Sequence, residues 1–239
     1  MVRTGQYPRW ELWLGSSLLM LLLGGLGYGA LQLQYLAQDA NRVPIRELVL
    51  LGERQLTHEE DVAHAIESLG YHSLLNIDVI ELSQRIEALP WIDKAAVRRE
   101  WPNRIQVMVE EHQPLARWGD NGYLNQRLDS FIAPQLEALA ALPRLSGPVG
   151  TEEKVWQMWQ QLVEILAFNG YQGQDLKLTP RHAWTLRLDN GIELVLGRSD
   201  TEARLQRFLT AWPQVSNTKN RAARIDLRYD TGFAVQWQE

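Results

Sequence analysis

From Leu12 to Gln38 the chain runs for 27 residues without a charged side chain. Its most apolar stretch, Leu12 to Leu31, is interrupted only by glycines, Ser16, Ser17 and Tyr28. Twenty helical residues rising about 1.5 Å each span ~30 Å, the thickness of a bilayer's hydrocarbon core. A helix buried in a globular core rarely runs so long without polar periodicity. The sequence therefore predicts a membrane-spanning segment. A cleaved signal peptide is the competing reading, with an apolar region of only ~7–15 residues ending at a small-x-small site. The run here is longer, and its exit, Gly29-Ala30-Leu31-Gln32-Leu33-Gln34-Tyr35, offers no such site. An uncleaved anchor is expected. Trp10 and Trp13 at one end and Tyr35 at the other suit interfacial aromatic belts. Arg3 and Arg9 against Glu11 give a modest positive bias that places the short N-terminus in the cytoplasm. Gly25-x-x-x-Gly29 matches a helix-packing pattern, a weak signal on its own.

Charge and cysteine usage then exclude whole classes of function. The full chain carries 24 Lys+Arg against 29 Asp+Glu, a formal charge of −5. Without the tail's two arginines and one glutamate, the part beyond the membrane holds 22 basic and 28 acidic residues. Such a surface has no electrostatic support for broad nucleic-acid binding. The absence of cysteine removes disulfides, thiolate metal sites and thiol nucleophiles. One spanning segment does not make a channel or transporter.

Beyond the anchor, the first block reads β-α-α-β-β. Residues 45–51 suit a strand. Thr57-x-x-Glu60 and Asp78-x-x-Glu81 are capping-box patterns opening two helices, with stripes Val62, Ala65, Ile66, Leu69 and Val79, Leu82, Ile86, Leu89. Gly70 and Pro90 end them. Two β runs follow, Ala95–Trp101 and Arg104–Glu111, around the turn pair Pro102-Asn103. The second block is richer in strands. Asp120-Asn121-Gly122 and Asp189-Asn190-Gly191 read as hairpin turns that use glycine for positive φ. One helix is expected after Thr151, ending near Gly170, with Val155, Met158, Trp159, Leu162, Ile165 and Leu166 on its apolar side. A second is expected from the capping box Ser199-x-x-Glu202 to Pro213, with Leu205, Phe208 and Leu209 inward. Arg224–Arg228 and Phe233–Trp237 look like strands flanking Tyr229-Asp230-Thr231-Gly232. The fold class is α+β.

No catalytic constellation emerges. His58 and His64 are six apart, not the three or four that share a helix face, and His72, His112 and His182 have no recognisable partner. No P-loop, Gly-x-Gly-x-x-Gly, Gly-x-Ser-x-Gly or His-Glu-x-x-His occurs. A non-enzyme without metal or cofactor is expected. Ten tryptophans are many for this length, and core packing accounts for most. Trp237 is an exception: between Gln236 and Gln238, two residues from the end, it suits an interface better than a core.

Several stretches carry a resemblance. They are Leu48-Val49-Leu50 with Gly52-Glu53-Arg54, Leu89-Pro90-Trp91-Ile92 leading to Val97-Arg98-Arg99, and Trp101-Pro102. Further on come Glu110-x-x-x-Pro114-Leu115-Ala116-Arg117-Trp118, Leu196-Gly197-Arg198, and Asp226-Leu227-Arg228-Tyr229-Asp230 with Gly232 and Trp237. With the order tail, span and two blocks, the chain resembles the FtsQ/DivIB family of bacterial cell-division proteins, in its proteobacterial form. The resemblance implies a cytoplasmic tail (1–11), a transmembrane segment and its exit (12–38), a POTRA domain (43–112) and the family's β domain (113–239), the last two in the periplasm. It implies a non-catalytic scaffold in the inner membrane at the division septum, linking early and late division proteins. The implied partners are FtsB-type and FtsL-type membrane-anchored coiled-coil proteins, with other envelope division proteins docking on the POTRA domain. By position, it points to Arg228, Tyr229, Thr231, Gly232, Phe233 and Trp237 as partner-binding residues, with Arg181 upstream. Thr231 stands where serine is often found, and Phe233 is larger than the small residue expected. The alternative is a POTRA-bearing secretion or outer-membrane assembly component, but those usually carry several POTRA repeats or a long barrel.

A strand at the end of a sheet offers unpaired N–H and C=O groups, a liability unless something pairs with them. A partner strand could do so, with backbone bonds supplying affinity and side chains specificity. On that reading Tyr229 and Trp237 are aromatic anchors, Arg181 and Arg228 meet acidic partner residues, and Gly232 permits close backbone approach. Otherwise Tyr229 and Trp237 simply complete the domain's own core.

Overall fold

The uncharged run forms one continuous helix, α1 (Arg9–Gln38), whose 30 residues extend about 45 Å. Its stretch Trp13–Gln32 is long and apolar enough to cross a membrane, and none of it is buried against the rest of the chain. The Ser16 and Ser17 hydroxyls donate to the Trp13 and Leu14 carbonyls, both at 3.0 Å, so neither carries an unsatisfied donor into an apolar medium. The computed structural model describes residues 9–38, 45–71, 73–74, 76–215 and 221–238. Arg3, Asp39, Arg42 and His72 lie outside the described residues. So do the side chains of Arg9, Trp10, Glu11 and Tyr35, on which the orientation and belt readings partly rest.

The chain divides into two compact units, Met1–Glu111 and His112–Glu239. In the first, β1 (Glu47–Leu51), α2 (Glu59–Ser68), α3 (Val79–Glu87), β2 (Ile92–Glu100) and β3 (Arg104–Glu111) follow the expected β-α-α-β-β order. The sheet order is β1-β3-β2, with β3 parallel to β1 and antiparallel to β2. Val62, Ala65 and Ile66 of α2 and Leu82 and Ile86 of α3 close over Ile105, Val107 and Val109 of β3. Strand alternation sends Gln106, Met108 and Glu110 to the uncovered face. The α3 cap forms as expected, Asp78 accepting from the N–H groups of Ile80 and Glu81 at 2.9 and 3.2 Å. The α2 cap sits one residue later than the pattern suggested. His58 is the N-cap, and its N–H donates to the Asp61 carboxylate at 3.3 Å. Thr57 is drawn inward instead, because its N–H donates to Glu111 Oε1 at 2.6 Å.

The second unit is built on a nine-stranded sheet. In chain order come β4 (Pro114–Trp118), β5 (Gly122–Asn125), β6 (Ser130–Ile132), β7 (Arg144–Ser146), α4 (Glu152–Phe168), β8 (Gly173–Leu178), β9 (Trp184–Leu188), β10 (Glu193–Gly197), α5 (Thr201–Val215), β11 (Ala222–Asp226) and β12 (Ala234–Trp237). The spatial order is β12-β11-β10-β9-β8-β7-β4-β5-β6. One core gathers Val155, Trp159, Leu162 and Leu166 of α4, Leu205, Phe208, Leu209 and Trp212 of α5, and the inward residues of β8 to β11. Around the β9–β10 turn Trp184, Leu186, Leu188, Ile192, Leu194 and Leu196 are all buried, and Val195 between the last two is buried as well.

Three local expectations are corrected. The β4–β5 turn takes its positive φ at Gly119 (+62°), not Gly122. Gly122 already belongs to β5, and a Cβ there would meet the Phe131 and Trp118 carbonyls at 3.0 Å. Gly191, at +89°, serves the β9–β10 turn as expected. Helix α5 starts at Thr201, after Asp200 has turned to φ +56°, so Ser199 does not cap it. It also continues past Pro213 to Val215. The heavily buried Trp212 extends its inward stripe, and tertiary packing outweighs the lost backbone bond.

Candidate functional site

Among the described strands β12 pairs only with β11, so its far side is an open sheet edge. The register sets Ile225 opposite Val235 and Asp226 opposite Ala234. Alternation then turns Val235 and Trp237 toward the core while Ala234 and Gln236 face outward. Both strands are displaced from the expected spans, β11 starting and ending two residues earlier and β12 losing Phe233, because the chain leaves β11 at Asp226 to form a loop over 227–233. Leu227 anchors that loop, its side chain buried and its N–H donating to Val195 O at 2.9 Å.

Arg228 folds back on Asp226. Its Nε donates to Oδ1 at 2.9 Å and its Nη2 to Oδ2 at 2.6 Å, a two-point grip on one carboxylate. These hydrogen bonds hold the Asp226 carboxyl below its usual range despite partial burial, with help from the charges of Arg228 and Arg224. Arg207 of α5 donates to the carbonyls of Tyr229, at 3.1 Å, and Asp230, fixing the loop's crest to the helix layer. Tyr229 is left 57% exposed. Thr231 is exposed and Gly232 half-buried. A Cβ at Gly232 would have nothing within 4 Å, so no contact inside the chain demands glycine there.

Two candidates have intramolecular work as well. Phe233 packs edge-on to Phe208, ring centroids 5.6 Å apart, and to Trp212 at 6.3 Å. Trp237 stacks on Trp212 at 6.3 Å and is half-buried, so its role is not purely that of a free surface aromatic. Its place in the sequence suggested otherwise; pleating, which puts every second residue of β12 over α5, decides it.

Arg181 lies in the β8–β9 turn, exposed, with no ion pair to another described residue. That turn is pinned by Thr179 N–H to Ala183 O at 2.9 Å and His182 N–H to Thr179 O at 2.8 Å, with His182 at φ +56°. The registers Trp184 to Gly197, Val195 to Asp226 and Asp226 to Ala234 bring the turn and the 227–233 loop to the same end of the sheet. They are separated by three strand spacings, about 14 Å. The topology thus puts Arg228 to Phe233 in the loop at one end of the edge strand, with Arg181 on its flank at the same end and Trp237 at the opposite end of β12, beside Ala222.

The sheet's outer face is wet and paired in charge. One register row runs Arg144, Asp175, Arg187, Glu193, Arg224 and ends on β12 at Gln236. Ion pairs join Arg187 to Asp175 (3.7 Å) and Glu193 (3.6 Å), and Arg224 to Glu193 (3.3 Å). Sequence reading missed Asp226 and Arg207, whose partnerships depend on the fold. It could have found Trp212, which continues the stripe Leu205-Phe208-Leu209 at helical spacing. Among the described residues no group of three or more His, Asp or Glu is arranged to hold a metal ion.

Residues 43–112 match the family model described as POTRA domain, FtsQ-type, and residues 116–228 match that described as cell division protein FtsQ/DivIB, C-terminal. The chain is 41% identical to the cell division protein FtsQ of Shewanella oneidensis over 95% of its own length and 87% of that protein's. It is 36% identical to FtsQ of Escherichia coli over 84% of this chain and 75% of that one. With FtsQ of Vibrio cholerae the identity is 33% over 91% and 83%. Carrying an N-terminal apolar helix, an FtsQ-type POTRA domain and a C-terminal unit of matching kind, the chain belongs to the FtsQ/DivIB family of cell-division proteins.

Proposed function

We propose that the chain is a non-catalytic scaffold of the bacterial division machinery, held in the inner membrane by α1 with its N-terminus in the cytoplasm and both units in the periplasm at the septum. It captures FtsB-type and FtsL-type partners through the corner formed by β12, the 227–233 loop and Arg181. The POTRA domain serves as the docking module for other envelope division proteins. The observation that carries this reading is the open edge of β12. Its inward residues, Val235 and Trp237, are apolar, its outward residues are Ala234 and Gln236, and an exposed tyrosine sits on a loop braced from behind by Arg207. An incoming strand gains a row of backbone hydrogen bonds there, and Tyr229, Phe233 and Trp237 supply adjacent apolar surface.

Tyr229→Ala is the clean test. The side chain is exposed and anchors no core, so the melting temperature of the full chain should stay where it is, while loss of an aromatic hot spot costs about 2 kcal/mol of binding, roughly thirtyfold. Capture of the FtsB-type partner by Tyr229→Ala at wild-type affinity, with Arg181→Glu equally silent, would defeat this assignment.

A further inference from the structure

The β2–β3 turn of the first unit is Trp101-Pro102-Asn103. Two large apolar side chains stand open at this end, Trp101 at 62% exposure and Ile80 at 68%. They share an end because the Arg99 guanidinium donates to Ile77 O, drawing the finish of β2 beside the start of α3. The chain enters the unit at the same place, since Arg46 N–H donates to Asn103 O at 3.0 Å. Arg46 is eight residues beyond Gln38, the last residue of α1. However those residues run, they reach at most about 29 Å. A tether that short keeps the tip at an effective concentration near the bilayer on the order of millimolar, so a weak contact is enough.

From this we infer that the Trp101–Pro102 tip, with Ile80 beside it, seats in the headgroup layer of the membrane that α1 crosses. The inference rests on the reading of α1 as a membrane anchor. Tryptophan suits that depth, its ring amphipathic and its N–H able to stay wet. The contact is aromatic, not electrostatic. Arg46, Arg98, Arg99 and Arg104 at this end are matched by Glu47, Asp78, Glu81 and Glu100, and Arg104 already pairs with Glu47 at 2.6 Å. Anionic lipid is therefore not required.

The chain has no cysteine, so one introduced cysteine is a unique labelling site. Glu100→Cys and Lys94→Cys place nitroxide labels on one strand and one face, about 20 Å apart; Leu22→Cys reports on α1. Full chains in phosphatidylcholine nanodiscs are compared for label collision with oxygen, which partitions into lipid, and with a water-soluble nickel chelate. The oxygen-to-nickel ratio should be several-fold higher at position 100 than at 94, and unchanged by phosphatidylglycerol or salt. Trp101→Ala, shown by circular dichroism to be folded, should lower it to the value at 94. Equal, water-like ratios at 100 and 94 with position 22 in the bilayer core would overturn the proposal and leave the anchor standing. A water-exposed position 22 would overturn both. A raised ratio at 100 that ignores Trp101→Ala would also overturn it.

Discussion

Glu111, the last residue of β3, shows how one side chain can hold a loop in place. Its carboxylate accepts from the N–H groups of Gln55 at 2.8 Å, Leu56 at 3.1 Å and Thr57 at 2.6 Å, closing the segment between β1 and α2 against β3. Burial by itself would raise this carboxyl, but the three backbone donors outweigh it and hold it below its usual value. A group whose folded pKa is depressed contributes stability above its unfolded value, near 4.3, and that stability is lost as pH falls through the lower folded value. The first unit should therefore weaken on acidification below about pH 5. Glu111→Gln should cost on the order of 1–2 kcal/mol at neutral pH and flatten that acid dependence, which thermal melts at two pH values will read. No sequence pattern marks this clamp, since it joins residues more than fifty positions apart.

Helix α5 and strand β12 depend on each other. Trp212, one turn beyond the stripe expected to end the helix, is the plate on which both Phe233 and Trp237 rest. Trp237→Ala should accordingly destabilise the second unit by about 1.5–3 kcal/mol, in contrast to the silent Tyr229→Ala, and calorimetry of the two variants separates the roles. Any binding loss in Trp237→Ala must be read against that lost packing. Arg207→Ala removes two donors from the loop's crest; it should weaken partner capture through a looser Tyr229 while costing only about 1 kcal/mol of stability. The helices and the first unit's strands were legible from periodicity and turn chemistry, down to the Asp78 cap and the positive φ at Gly191, whereas the short strands β6, β7 and β8 carried no such pattern. Misplacements fell at helix α5 and its entry, at the α2 cap and at the Gly119 turn, where a neighbouring contact shifted the boundary by a few residues.

At the scale of the whole molecule, each unit owns a separate core with no residue in common, so unfolding need not be a single two-state event. Glu111→Gln should shift only the transition of the first unit and Trp237→Ala only that of the second; calorimetry showing both variants moving one common transition would refute independence. Deleting residues 45–111 while keeping α1 and the second unit should abolish septal recruitment, as seen by a fluorescent fusion. Much of this architecture follows from local chemistry. An uncharged run of 27 residues has few places to go but a bilayer, and alternation at Trp184–Leu188 commits that strand to one buried face. Family motifs spread along the chain pointed to the division machinery before any coordinate. Tertiary structure alone decided that β12 is an edge, that Arg181 and the 227–233 loop share a corner, and that Phe233 and Trp237 are partly spent on the core. Strand order is a long-range property: β10 and β11 become parallel neighbours only because α5 crosses between them, and no spacing within either strand records that crossing.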